Sequence, residues 1–136
     1  MKNFVLAALG GIMAIGVIAS CKKEKHNPAP VLAATRRIRF ILYTNKDFST
    51  VEDSITFSLH IANKNRAFGF DSVVARMKVK DIPHKVNELV FERTAPLDTT
   101  VLTAGFYYTI KNVGMSWHLD TVGSNERFKV IEYPFE

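Results

Sequence analysis

The sequence Ser-Ile-Thr-Phe-Ser-Leu-His-Ile, residues 54–61, alternates strictly between polar and apolar side chains. Because successive side chains of a β-strand point to opposite faces, this alternation predicts a strand with one buried face and one solvated face. The side chains predicted to enter the core are Ile55, Phe57, Leu59 and Ile61. The same period of two recurs along the chain on both sides of this stretch, so residues 54–61 decide the fold class.

Six further segments are predicted as strands from their alternation and from the turn residues between them. They are Arg37–Tyr43, Val73–Lys80, Val86–Phe91, Leu102–Ile110, Ser116–Asp120 and Phe128–Phe135.

Three of these segments carry more detailed predictions. Asp81–His84 has the composition of a turn, so we expect the strands on either side of it to form a hairpin in which Lys78 faces Glu88. In the first of those strands, Val73 belongs to the apolar set predicted to point inward. In Ser116–Asp120, the alternation predicts that Trp117 points into the core.

About seven short strands with frequent turns, and no pattern typical of a helix, predict an all-β protein. We expect an antiparallel β-sandwich over residues 35–136, immunoglobulin-like or transthyretin-like, with a closed barrel as the structural alternative.

The length of 136 residues allows one ordinary domain, and the single cysteine excludes a disulfide framework and any multi-cysteine metal site. The net charge of +5 comes largely from the first 25 residues. From Thr35 onward, fourteen Lys and Arg stand against twelve Asp and Glu. The predicted domain is therefore nearly neutral, which argues against nucleic acid as a partner.

Residues 1–20 have the pattern of a secretory signal peptide. Lys2 gives a positively charged start, and Phe4–Ile18 is uncharged and apolar. Fifteen helical residues span roughly 22 Å, which is short of the roughly 30 Å hydrocarbon core of a bilayer. This favours a cleaved signal peptide, and a retained membrane anchor is the alternative.

The residues Ile18-Ala19-Ser20-Cys21 resemble the lipobox of bacterial lipoproteins, which is an aliphatic residue, two small residues and a cysteine. The resemblance implies cleavage between Ser20 and Cys21, a thioether from the Cys21 thiol to diacylglycerol, and fatty acylation of the freed amine, with palmitate as an example. The alternative is a buried cysteine at the end of an uncleaved helix. Residues 21–34 would then be the lipidated cysteine and a tether with prolines at 28 and 30, whose thirteen residues after Cys21 reach at most about 40 Å.

The chain as a whole resembles small envelope lipoproteins of the Bacteroidota, through the lipobox and through the segments Arg39–Thr44, Lys80–Pro83 and Asn112–Asp120. This resemblance implies a cell-envelope lipoprotein with a sandwich domain, and it implies no activity or ligand. Lys22 follows the lipobox cysteine, in place of the Asp that signals inner-membrane retention in enteric bacteria. We therefore expect the outer membrane, facing the periplasm or the surface.

No sequence motif for a catalytic residue, a cofactor or a metal ion is present, so none is predicted. The candidates for a ligand surface are Tyr43, Tyr107, Trp117, His118 and Asp120. Core packing is the alternative for the aromatic residues. For His118 and Asp120, two apart on a strand, the alternatives are a solvated face or a metal or proton-transfer site completed by His60 or His84.

The leading prediction is a non-enzymatic, lipid-anchored envelope lipoprotein that acts as a binding or structural module. Its partners would be the membrane, through Cys21, and an envelope protein or a glycan. One alternative is a carbohydrate- or peptide-binding accessory protein of a nutrient-uptake or adhesion system, which an exposed aromatic patch would favour. The other is a small hydrolase or metal-dependent enzyme that uses His118 and Asp120.

Overall fold

Seven β-strands contain most of the residues that the computed structural model describes, which are residues 34–65 and 69–136. The strands are β1 (Thr35–Thr44), β2 (Ser54–Asn63), β3 (Gly69–Lys78), β4 (Leu89–Pro96), β5 (Leu102–Ile110), β6 (Gly114–Val122) and β7 (Phe128–Phe135). Two short 3₁₀ turns, Val79–Asp81 and Lys85–Asn87, lie between β3 and β4.

The strands form two packed sheets, which confirms the predicted β-sandwich. Sheet A has three strands in the order β4-β1-β7, and sheet B has four strands in the order β3-β2-β5-β6. All neighbouring strands are antiparallel except β1 and β7, which run parallel with Phe40 opposite Ile131. A wholly antiparallel sandwich was expected, so this pair is a difference from the prediction.

The core lies between the inner faces of the two sheets. The four apolar residues of the deciding stretch, residues 55, 57, 59 and 61, are all buried there, as predicted. Phe40 of sheet A meets Phe106 of sheet B edge to face, with ring centroids 5.7 Å apart, and Phe57 meets Phe135 in the same way at 5.9 Å. Each such buried ring stabilises the fold by about 1.5–3 kcal/mol through removal of apolar surface from water.

The predicted hairpin between residues 73–80 and 86–91 is wrong. β3 pairs only with β2, and β4 pairs with β1 in the other sheet. The connecting segment crosses between the sheets because Val79 and Ile82 bury their side chains in the core. Lys78 consequently bonds Glu52, at 2.5 Å, and does not face Glu88.

The inward position predicted for Val73 is also wrong, because a β-bulge interrupts β3. The register with β2 shifts between Phe57, opposite Ala75, and Ser58, opposite Val73. Val74 is the extra residue and packs against the core. Val73 is therefore turned to the outer face of sheet B, where it is 45% exposed.

Candidate functional site

An exposed pair of aromatic side chains lies on the outer face of sheet B. Tyr107 of β5 is directly opposite Trp117 of the edge strand β6, and their ring centroids are 6.3 Å apart. Trp117 is 60% exposed, so the prediction that it packs in the core is wrong. Its neighbours His118 and Asp120 take the inward-facing positions of β6, because they lie opposite the inward Phe106 and Ala104.

The strand register arranges the outer face of sheet B in rows that run across the four strands. One central row contains Val73, Ser58, Tyr107 and Trp117, and the next contains Asp71, His60, Gly105 and Leu119. A flanking row consists of Arg76, Thr56, Thr109 and Met115. We call the two central rows together with Met115 the aromatic face.

A histidine–aspartate pair supplies the polar part of the aromatic face. His60 Nδ1 lies 2.7 Å from Asp71 Oδ1, and the His60 ring meets the edge of Tyr107 with centroids 5.0 Å apart. An ionised carboxylate only accepts hydrogen bonds, so the His60 Nδ1 atom donates the hydrogen bond to Asp71. The His60 Nε2 atom and the second Asp71 oxygen are further hydrogen-bonding groups of residues that line the groove described next.

An open groove of about 440 Å³ runs over this part of the face. It is lined by Ser58, His60, Ala62, Gly69, Asp71, Tyr107 and Met115. Three of these lining residues, at positions 58, 62 and 69, are small, and the others have larger aromatic, polar or apolar side chains. A few polar groups among mostly apolar walls are typical of small-molecule binding sites of this size.

The aromatic face carries little net charge. Asp71 is the carboxylate of the two central rows, and it is hydrogen-bonded to His60. Arg76 lies in the flanking row, and Lys78, two residues further along β3, forms an ion pair with Glu52. A neutral ligand with hydroxyl groups therefore matches this face better than an ionic ligand does.

Tyr43 does not belong to the aromatic face. It lies on the outer side of sheet A, where its hydroxyl is 3.4 Å from Glu132 Oε2. The Lys85 ammonium group is 4.2 Å from the centre of its ring, and the same ammonium group bonds Glu132 at 3.0 Å. Neighbours on the protein surface thus already occupy both the ring and the hydroxyl of Tyr43.

His118 and Asp120 face the edge strand β7 on the inner side of the sandwich. The His118 ring stacks on Tyr133, with centroids 4.7 Å apart. Asp120 Oδ2 lies 2.9 Å from Lys129 Nζ, and the hydrogen bond from Lys129 lowers the pKa of the Asp120 carboxyl. Each side chain therefore has a structural partner at the open edge between the sheets.

The metal or proton-transfer alternative requires a third group, His60 or His84, near His118 and Asp120, and the fold separates these candidates from the pair. His60 lies on the opposite face of sheet B, and His84 Nδ1 is 3.2 Å from the Thr44 carbonyl oxygen at the end of β1. In residues 34–65 and 69–136, no three His, Cys, Asp or Glu side chains group as metal ligands.

Ser20 and Cys21, the predicted cleavage and lipidation residues, lie outside the described residues. Within the described part of the chain, no helix is long and apolar enough to cross a bilayer. The chain matches no protein-family model, no curated protein and no solved structure.

Sequence reasoning did not name the three polar residues of the aromatic face, Ser58, His60 and Asp71, as ligand-surface candidates. A signal for two of them was present, because positions 58 and 60 are on the polar side of the alternating stretch. Asp71 gave no such signal, since it precedes the segment that was predicted as a strand.

Proposed function

We propose that this protein is a lipid-anchored lipoprotein of the cell envelope whose β-sandwich is a non-enzymatic carbohydrate-binding module. The ligand of the aromatic face is a neutral glycan. In this proposal the acylated Cys21 holds the domain at the outer membrane, and the tether leaves the face accessible.

The exposure of Trp117 beside Tyr107 is the observation that carries the proposal. Leaving large apolar side chains in water has a free-energy cost, and clustered examples mark interaction sites. Met115 at 64% exposure and Val73 at 45% extend the apolar surface on either side of the pair. Aromatic rings of this kind stack against the C–H faces of pyranose rings.

The polar groups of the face support a glycan over a purely apolar ligand. Sugar hydroxyls are donors and acceptors, and the His60–Asp71 pair presents hydrogen-bonding groups in the row next to that of Tyr107. The Ser58 hydroxyl lies in the same row as Tyr107 and lines the groove. Low net charge on the central rows is consistent with an uncharged sugar.

His118 and Asp120, the two residues on which the enzyme alternative depends, lie away from the aromatic face. His118 and Asp120 each contact another residue at the sandwich edge, Tyr133 and Lys129 respectively. They also lie on the opposite side of β6 from Trp117. A ligand on the aromatic face would therefore not contact them.

Glycan-array binding of the full chain in neutral detergent tests the proposal. We expect the wild type to bind neutral oligosaccharides, and Trp117→Ala to weaken this binding about tenfold, in line with the loss of one stacking ring. Phe128→Ala is the matched control, because Phe128 is a similarly exposed aromatic residue on sheet A, and it should bind like the wild type.

Three outcomes would overturn the glycan assignment. One is a wild type that binds no neutral glycan. Another is a wild type that binds extended peptides through Trp117 in place of sugars. The third is an aromatic face that is covered by a second copy of the chain. This would be seen as a wild-type dimer that the Trp117→Ala substitution converts to a monomer.

A further inference from the structure

A basic cleft lies on the outer face of sheet A, at the end where β1 begins. Its volume is about 370 Å³, and its lining residues are Thr35, Arg37, Thr94, Arg127 and Phe128. The Arg37 N–H donates a hydrogen bond to the Arg127 carbonyl oxygen at 2.8 Å. The backbones of two arginines from different parts of the chain are thereby joined, and both residues line the cleft.

Neither guanidinium group contacts a carboxylate in the described residues, because the nearby acids bond elsewhere. Glu92 bonds Arg39 at 2.7 Å. Glu126 accepts a bond from the Gly123 N–H at 2.9 Å, and Asp98 contacts the buried Arg36 at 3.3 Å.

Two neighbouring like charges repel each other, and an anion placed between them removes that cost. A guanidinium fork also matches the oxygens of a phosphate group, which it binds with two parallel hydrogen bonds. Thr35 and Thr94 contribute hydroxyl donors at the wall of the cleft.

We propose that Arg37 and Arg127 form a binding site for a phosphate group, and that this group is the headgroup phosphate of an anionic phospholipid. The site differs from the aromatic face in position and in ligand. It lies on the other sheet and takes an anion.

The position of the cleft favours a lipid as the source of the phosphate. β1 begins at Thr35, directly after the predicted tether of residues 22–34. Phe128 and Val130 are 47% and 38% exposed, and both lie on the outer face of sheet A beside the cleft. An apolar side chain next to basic groups is the combination that binds at the headgroup level of an anionic membrane.

This source of the phosphate depends on the proposed anchor at Cys21, whereas the phosphate site itself does not. In this arrangement the arginines orient the anchored domain by binding the membrane to which the lipid attaches it. The cleft is on the outer face of sheet A and the aromatic face is on the outer face of sheet B. A domain that turns the cleft toward the membrane therefore turns the aromatic face away from it.

The first experiment titrates the full chain in neutral detergent with inorganic phosphate and, separately, with glycerophosphoglycerol. The readout is the NMR shift of the Arg37 and Arg127 amides. We expect saturable shifts at these two amides with glycerophosphoglycerol, and affinity reduced about fivefold by either Arg37→Gln or Arg127→Gln. Arg76→Gln is the matched control, because Arg76 is an exposed arginine on sheet B, and it should leave the affinity unchanged.

The second experiment places the full chain in nanodiscs of phosphatidylcholine alone or with added phosphatidylglycerol. We expect the Arg37 and Arg127 amides to shift only in the anionic nanodiscs, and the shift to weaken with added salt. No response to any probe would overturn the site.

Two results together would overturn the lipid assignment. Inorganic phosphate would bind as tightly as glycerophosphoglycerol, and the Arg37 and Arg127 amides would not shift in the anionic nanodiscs. Both results can be told apart from failure of the proposed function. That failure would appear as loss of glycan binding at Trp117 or as an unmodified Cys21, and the amide shifts of Arg37 and Arg127 measure neither of these.

Discussion

Gly105 of β5 lies against the backbone of β6 so closely that a Cβ atom at position 105 would collide with the carbonyl oxygen of His118. The same atom would be 2.8 Å from the Leu119 Cα. This close approach occurs two residues from Tyr107 and in the segment of β6 that carries Trp117. The absence of a side chain at position 105 therefore helps to position the aromatic pair.

Gly105→Ala should destabilise the protein by about 1–3 kcal/mol, because backbone atoms of β6 must move to admit the methyl group. Urea denaturation measures the loss. Gly69→Ala is the matched control, since among the described residues, its chain neighbours aside, a Cβ there would meet no heavy atom within 4 Å, and it should change stability by less than about 0.5 kcal/mol. Equal stability of the two variants would contradict the positioning role of Gly105.

Arg36 is a fully buried arginine that connects three segments of the chain. Its guanidinium group donates hydrogen bonds to the carbonyl oxygens of Pro96 and Gly123 at 2.8 Å, and to those of Asp98 and Thr100 at 3.2 Å. These carbonyls belong to the end of β4, to the loop after β4 and to the turn before β7.

Arg36→Met should cost about 3 kcal/mol, because it removes a buried guanidinium group and leaves four partly buried carbonyl groups without that donor. Thermal unfolding of this variant, compared with Arg37→Met on the exposed side of the same strand, measures the effect. The Arg37 variant should stay within about 0.5 kcal/mol of the wild type. A wild-type melting temperature for Arg36→Met would refute the prediction.

Glu52 makes stability depend on pH in the acid range. Hydrogen bonds from Lys78 and then Lys80, each at 2.5 Å, lower the pKa of the Glu52 carboxyl from 4.5 to about 2. Because the folded-state pKa is the lower one, the stabilisation is fully present above the unfolded value of 4.5 and is lost as the pH falls towards 2.

The stability difference between the wild type and Glu52→Gln should therefore be constant near neutral pH and shrink as the pH falls from about 4.5 to about 2. Because the carboxylate is exposed, salt at about 1 M should reduce the difference at neutral pH. Denaturation curves over this pH range measure it, and a difference that grows on acidification would rule out a lowered pKa for Glu52 in the folded protein.

Cys21→Ala should prevent both lipidation and cleavage after Ser20, because the thiol is the predicted attachment point of the diacylglyceryl group. Mass spectrometry of the protein from membranes should show a wild-type chain that begins at a modified Cys21. His26→Ala, in the predicted tether, should be processed normally. A wild-type protein of full length with a free Cys21 thiol would contradict the proposed lipid anchor.

Much of the fold could be predicted from alternation alone, because a half-buried strand imposes a period of two on its sequence. Residues 54–61 show this most clearly, and their apolar side chains are buried as predicted. The bounds of the strands at 102–110 and 128–135 also agree with the prediction.

Pairing and orientation could not be predicted in the same way. Alternation separates two sets of side chains without saying which set is inward, so the bulge at Val74 and the edge position of β6 were invisible in the sequence. Trp117 alternates as a core residue would, yet in β6 the other set faces inward and contacts Tyr133 and Lys129 of β7.

The candidate site was accordingly predicted only in part. Tyr107 and Trp117 were named, but the pairing of β2 with β3 and β5 brings His60 and Asp71 beside them. Such long-range pairings depend on sheet order, which local patterns do not encode. Tyr43, on the outer side of sheet A, was grouped with them for the same reason.

Trp117 is the single tryptophan of the chain and lies on the aromatic face, so its fluorescence reports directly on the proposed glycan site. Titration of the full chain in neutral detergent with a neutral oligosaccharide should produce a saturable change in this fluorescence. The His60→Ala variant, which keeps the tryptophan, should require a higher concentration for half-saturation. Fluorescence that stays constant for every neutral oligosaccharide tested would contradict carbohydrate binding by this face.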